Sequence, residues 1–431
     1  MRKLILCCLA AVLPLAAYPN GYDVPNVSPR DLALVGSAVA DQVDAGATYG
    51  CPAALARASL EGLSLNLGGT LLDIRTTWTA TTTALQASSP TETSFHPAYP
   101  VAFYASYGTS IADHRVGFGV GMTVPAGGNV FWPSNWAGRS FIITVDRRIY
   151  GFYGSVGVEI IPQVRLGGGF IYYRATEDLL QGLDPTSGTV ELAAAGGMAS
   201  WDASLEVEPL LGVPLVLAVD YKQQAYIKLS GTAHFVVPPT LQAQLQDQNV
   251  SHVLPYPNVL QFGVSYDPIP QLRLTGTYSF DRYVIYSQDV FVGDKPLPGP
   301  IVVPRDYSNG SVYRIGAQWQ AIPQLALRAG VLRDVSGLPK QTVNGQLVSS
   351  TYSPTLPDSN SWAFGFGAGY SLAENLTVNG AIFYAHMDEV TAPSGSSLIF
   401  PGTYDTHVLI YSIGLTYNWA PGESPGHLRS F

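Results

Sequence analysis

The sequence predicts an all-β fold: a 14-stranded antiparallel transmembrane β-barrel with an N-terminal plug inside its lumen. Three observations carry that expectation. The composition suits a membrane without offering a spanning helix, a proline turn recurs at a nearly fixed interval, and the runs between turns alternate with period two. Only 12% of the 431 residues are charged, against about 25% in ordinary globular chains, while 47% are apolar and 25 are Tyr. Mean hydropathy is slightly positive, yet no window approaches the roughly 20 unbroken apolar residues of a spanning helix. A closed barrel is the other structure that satisfies its backbone hydrogen bonds in lipid. The net charge of −9 argues against a nucleic-acid partner.

In chain order, Arg2 and Lys3 precede the apolar run Leu4–Ala17, which ends in small residues. That is the pattern of a secretory signal peptide over residues 1–17, directing export to the bacterial outer membrane. Cys7 and Cys8 fall inside it, so the mature chain keeps Cys51 alone and forms no internal disulfide. Residues 18–59 carry helix signals before any strand pattern begins. Ser28 caps a helix starting at Pro29, with Asp31 in the reciprocal capping position, and a second short helix starts at Pro52. So apolar a segment makes a poor periplasmic linker, but it fills a lumen too wide for wall side chains to close. It is therefore read as a plug.

The wall is read over residues 60–419, beginning near Leu63. "IIPQVRLG" (160–167), "PIPQLRLTG" (268–276) and "AIPQLALRAG" (321–330) repeat one turn, and weaker copies lie at Ala112, Pro214 and Glu374. The six positions are spaced by 50 to 56 residues, the length of two strands and a long loop. Outer-membrane barrels alternate short periplasmic turns with long outer loops. Six short turns separate seven hairpins, hence fourteen strands. In "RVGFGVGMTV", Val116, Phe118, Val120, Met122 and Val124 alternate with Gly117, Gly119, Gly121 and Thr123. In the last strand Leu409, Tyr411, Ile413, Leu415, Tyr417 and Trp419 share one face, with Ser412, Gly414, Thr416 and Asn418 on the other. Apolar residues toward lipid and small or polar ones toward the lumen are what a barrel wall requires. Residues 420–431 form a C-terminal tail. Either Trp419 or Phe431 serves as the aromatic read by the barrel assembly machinery.

The chain resembles the long-chain fatty acid outer-membrane transporters, the FadL-type family, along nearly its whole mature length. "SAVADQVDAGATYGCPAAL" (37–55) looks like the hatch segment with that family's Asn-Pro-Ala motif. Pro52 and Ala53 match it, and Cys51 stands where the family has asparagine. "LRAGVLRDVSGLP" (327–339) and "LPDSNSWAFGFGAGYSL" (356–372) look like its penultimate hairpin, with the Pro-Asp signature at Pro357 and Asp358. Ser361 stands where an arginine is usual. The resemblance implies a monomer that takes up hydrophobic molecules, long-chain fatty acids first, without energy coupling in the barrel. Ligand would be captured at an extracellular groove between the third and fourth outer loops, carried past the lipopolysaccharide layer to a hatch-side pocket, and released sideways into outer-membrane lipid through the third strand.

Each part has a candidate. The strand count puts the third and fourth outer loops at Thr176–Ser200 and Gly231–Pro255. Leu179, Leu180 and Leu183 in one, and Leu241 and Leu245 in the other, either pack their own loops or form the entry groove. Gly117, Gly119 and Gly121 either make room for the plug or mark the lateral gate, since glycine rows weaken a strand. Cys51 reads as a small neutral replacement, with no nucleophile's partner nearby. Its presence and that of Ser361 leave headgroup binding open and lean toward a close alternative, aromatic or aliphatic hydrocarbons. Of Arg147 and Arg148, at most one faces the lumen. "GFGAG" (365–369) is wall patterning, and His386, Asp388 and Glu389 read as a solvated loop start. No G-x-S-x-G elbow or zinc spacing appears, so no enzyme, metal or cofactor is expected. A general polar porin is the alternative from another class, and it has no use for a plug.

Overall fold

In a computed structural model that describes residues 28–184, 188–210, 212–296, 299–394 and 400–420, all six turn positions lie between antiparallel strands. The wall strands are β1 (Gly62–Thr79), β2 (Val101–Ile111), β3 (His114–Phe131), β4 (Thr144–Ile161), β5 (Val164–Asp184) and β6 (Gly188–Val207). Then come β7, in halves Leu215–Lys222 and Ala225–Val236, and β8, in halves Gln248–Tyr256 and Val259–Ile269. The rest are β9 (Leu272–Asp281), β10 (Gly310–Ile322), β11 (Leu325–Val335), β12 (Ser361–Ala373), β13 (Leu376–Met387) and β14 (Gly402–Trp419). Each pairs with its neighbours, and β14 closes on β1 from Leu63–Trp419 to Thr79–Thr403. The fourteen strands form a closed barrel. The signal-peptide expectation and the tail from residue 421 lie outside the described residues.

The turns explain the repeat. Proline fixes φ and needs no ladder donor, so Pro162, Pro270 and Pro323 each open a two-residue connection. Ala112 and Asp113 make the first turn with φ of 49° and 68°, the left-handed pair that suits a tight hairpin.

β14 alternates as expected, with Tyr411, Ile413 and Leu415 exposed to the lipid side and Ser412, Gly414 and Thr416 buried. β3 alternates only as far as Thr123. Its ladder with β4 shifts between Thr123 and Ala126, and Val124, expected to face lipid, is buried. Pro125 has no N–H to give the ladder, and a proline inside a strand is tolerated at a bulge. A second interruption crosses β7 at Gln223–Gln224 and β8 at Pro257–Asn258.

The expected outer loops are also corrected. Most of Thr176–Ser200 and Gly231–Pro255 is strand: β5 continues to Asp184, β6 begins at Gly188, β7 runs to Val236 and β8 starts at Gln248. Continued pairing satisfies the backbone beyond the bilayer, so the hairpins project outward as sheet.

Residues 28–60 pack against inner wall faces. Ser28 accepts from the Asp31 amide and Pro29 opens a helix, α1 (Pro29–Ala33). The helix ends where Val35 and Gly36 turn to positive φ. A 3-10 turn starts at Pro52. Wall glycines receive this segment. A Cβ on Gly68 of β1 would press on Pro29, on Gly263 of β8 on Ala40, on Gly316 of β10 on Ser37, and on Gly367 of β12 on Ala33. The contacts therefore reach around the ring of strands.

Candidate functional site

Three cavities adjoin one another. The outer one, about 560 Å³, lies between the projecting parts of β4–β8 and the loops above them. Phe141, Leu179, Leu192, Phe235 and Phe291 give it apolar walls, and Arg147, Glu177, Asp289 and Arg305 line its charged end. Arg147 donates to Glu177 at 2.6 Å, and Arg305 to Asp289 at 2.7 Å. His252 stands between the two carboxylates, each ring nitrogen 3.1 Å from one of them. This chain of charges is internally matched, as buried charges must be.

Of the five candidate leucines, Leu179, Leu183 and Leu245 line this cavity. Leu180 and Leu241 do not. Leu180 follows Leu179 on β5 and so points to the opposite face. Leu241 and Leu245 do share a helical turn, the Leu245 amide donating to the Leu241 carbonyl at 2.9 Å. The arginine pair also separates as adjacent strand residues must: Arg147 is buried, whereas Arg148 is exposed and bonded to Asp146 at 2.9 Å.

The central cavity, about 150 Å³, is lined by Leu72, Ile74, Val312, Leu332, Phe383 and Ile410 together with Arg314, Pro357, Asp358 and Ser361. Arg314, on β10, rests against Gly36 of the N-terminal segment. It donates to Ser279 Oγ at 2.6 Å, and among the described residues it has no carboxylate partner. Sequence reasoning missed it. Its surroundings come from residues far apart in the chain, and a lone arginine in an alternating strand carries no local signal. Pro357 and Asp358 belong to the loop that covers this cavity. Asp358 accepts from Ser336 Oγ at 2.9 Å, and burial, partly opposed by Lys340, pushes its carboxyl up to about 6.

The lateral cavity, about 420 Å³, is lined by His96–Val101, Val124, Gly127–Asn129 and Arg147–Arg148 with Leu72, Ile74 and Tyr150. It arises because β2 starts late. Above Val101 the wall between β1 and β3 is made instead by the strap Thr93–Pro100. The strap bonds to β1 through Thr93–Thr76, Ala98–Leu72 and Thr70–Pro100. Toward β3 it makes one backbone bond among the described residues, from Ser94 to Phe131 at 2.7 Å. His96 stacks on Phe131 with centroids 3.8 Å apart. Leu72, Ile74, Gly127 and Gly128 line both the central and the lateral cavity, and Arg147 lines both the outer and the lateral one.

The glycine row of β3 lies elsewhere. Gly117, Gly119 and Gly121 sit where β3 is paired on both sides. Their missing side chains admit Leu55, Thr48 and Tyr104. Cys51, Pro52 and Ala53 pack against the inner wall. Cys51 is fully buried beside Val39, Ala40, Ala53 and Ala218, and burial pushes its thiol far above the ordinary range. Pro52 starts the 3-10 turn, and the Ala53 amide donates to Ser204 Oγ at 2.8 Å. Nearby, Arg57 forks onto Glu206 at 2.7 and 2.5 Å. Arg165 reaches the same carboxylate at 2.8 Å.

A family model described as outer membrane protein transport protein (OMPP1/FadL/TodX) matches residues 10–210 and 214–421. No curated protein matches the chain. Among solved structures, a Pseudomonas aeruginosa FadL homologue superposes with a TM-score of 0.81 at 16% identity, over 93% of this chain and 100% of that one. The P. putida toluene transporter TodX gives 0.70 at 15%, over 90% and 98%. The Ralstonia pickettii toluene transporter TbuX gives 0.64 at 13%, over 92% and 100%. At these identities the likeness speaks for the fold.

Proposed function

Because this chain belongs to the outer-membrane transport-protein family of FadL and TodX, and so carries hydrophobic compounds across the outer membrane, we propose that its ligands are long-chain fatty acids. The observation that carries this reading is Arg314. It is a cation that makes no ion pair among the described residues, set against the N-terminal segment in a cavity whose lining is largely apolar apart from Asp334, Thr355, Asp358 and Ser361. An alkane gains nothing from a buried guanidinium, and an arene gains only a cation–π contact of about 1–2 kcal/mol. A carboxylate gains a charge-assisted, bidentate bond. Arg314 thus supplies the cation whose absence at Ser361 leans toward hydrocarbons, and both residues line one cavity.

In the proposed path, the outer cavity takes the acyl chain, Leu179, Leu183 and Leu245 forming part of its entrance. Each buried methylene adds about 0.8 kcal/mol, enough for a long chain to stall in a single deep site. Adjoining apolar cavities let the ligand exchange one apolar surrounding for the next. Residues 28–60 act as the plug that denies a straight aqueous path. Release goes sideways through the seam between the strap and β3, at Val124–Asn129 rather than at the glycine row.

Equilibrium dialysis of purified protein against radiolabelled oleate and hexadecane tests the assignment. Arg314→Gln is expected to weaken oleate by about tenfold or more, the range of a charge-assisted bond, with hexadecane unchanged. Equal effects on both ligands, or none on oleate, would return the assignment to hydrocarbons, which the toluene-transporter likeness of the fold keeps as the second reading.

A further inference from the structure

The outer face of the wall carries two cations that the transport path does not use. Arg174 on β5 and Lys228 on β7 both point outward and are exposed. Among the described residues neither side chain makes a hydrogen bond or ion pair. Arg174 is paired with Gly197 of β6. Lys228 lies one step below Leu229, whose partner is Gly196, so it stands beside Gly197 at the same height. The two cations therefore flank a residue with no side chain. Strands lie about 4.8 Å apart, so the two backbones stand roughly 10 Å apart. The Tyr172 phenol, on whose oxygen a Cβ at Gly197 would press, occupies the floor of the gap and offers a third donor to an oxyanion held between the cations.

Below this pair the wall is notched. The β6–β7 ladder has no paired position between Gly196–Leu229 and Asp202–Lys222. Exposed around the gap are Tyr172, Met198, Trp201 and Tyr226. Height decides what the notch faces. Arg174 is ten residues along β5 from Val164, at the periplasmic turn. At about 3.3 Å per residue and a tilt near 40°, that is a rise of about 25 Å, the height of the apolar band of an outer-membrane barrel. Arg174 and Lys228 thus reach the outer headgroup level, where interfacial tyrosines such as Tyr172 and Tyr226 also sit, while Trp201, paired with Phe170 lower on the wall, faces the acyl chains.

We propose that Arg174 and Lys228 form a binding site for the phosphate of an outer-leaflet lipid, with its acyl chains in the notch between β6 and β7. Charge complementarity favours a lipid phosphate, and the aromatic notch directly below favours a lipid over a free ion. Arg148 stands diagonally across on β4, but Asp146 holds its guanidinium.

The test is the melting temperature of the purified protein in neutral detergent, read from its heat-modifiable gel mobility, against added bis-phosphorylated lipid A. Lipid A is expected to raise it for the native chain and for the control Lys295→Gln. The double variant Arg174→Gln/Lys228→Gln is expected to need about 30-fold more lipid, each basic residue at an anionic lipid surface contributing roughly fivefold. Lipid A stripped of its phosphates, and inorganic phosphate at millimolar concentration, are both expected to leave the melting temperature unchanged. Equal protection of the double variant, or equal protection by stripped lipid A, overturns the site. Protection by inorganic phosphate alone makes it an adventitious ion only.

Discussion

At the scale of single residues, burial decides which groups act and which stay silent. Cys51 is enclosed by apolar neighbours, and burial keeps its thiol neutral. Iodoacetamide at pH 8.5 is therefore expected to leave the folded protein unlabelled and to react once it is boiled in detergent. Labelling of the folded form would show the hatch motif to be open. Asp358 gives a pH effect of definite sign. Its folded carboxyl titrates at about 6 against an ordinary 3.8, so the folded chain holds this proton more tightly than the unfolded one. Its contribution to stability is present in full below pH ~4 and falls as pH rises to ~6. Asp358→Asn is expected to flatten the melting temperature over that window. An unchanged slope would exclude the carboxyl. Ala112, held at positive φ in the first turn, is strained by about 1 kcal/mol. Ala112→Asn, a residue that accepts this conformation, is expected to raise the melting temperature.

Among elements, the sequence was readable where one local rule governs. The repeat, with proline at four of its six positions, located all six connections, and alternation set the faces of β14, because both signals reside in neighbouring residues. Extents were harder to read. The hairpins above the bilayer keep the same alternating pattern as the spanning strands, so Thr176–Ser200 looked like a loop. Pro125 was a signal left unused, since a proline within a strand marks a bulge. Arg314, Ser279 and Gly36 meet only through the fold, as do Arg57 and Glu206. Two elements invite tests. Glu206→Gln leaves Arg57 without its carboxylate, while Arg165 keeps Glu208 at 2.7 Å, at a cost of about 3 kcal/mol. Trypsin is expected to cut after Arg57 in the variant while sparing the native chain. A disulfide through His96→Cys and Phe131→Cys ties the strap to β3. It is expected to stop uptake, with recovery on reduction, while oleate binding persists. Undiminished uptake by the tied form would move the exit elsewhere.

For the whole molecule, a closed barrel with an occupied lumen and adjoining apolar cavities makes physical sense for cargo that water rejects. Each described wall strand pairs with both of its neighbours, and the glycine-lined interior receives residues 28–60. The cavities adjoin one another from the outer hairpins to the flank of the wall where the strap stands in place of β2. The central claim is transport of long-chain fatty acids, and uptake in a living membrane tests it most directly. A Gram-negative host lacking its own fatty acid transporter should be given this chain and supplied with radiolabelled oleate. Uptake well above the empty-vector cells, and reduced by Arg314→Gln, is the predicted result. A folded, heat-modifiable barrel that leaves oleate outside would contradict the claim.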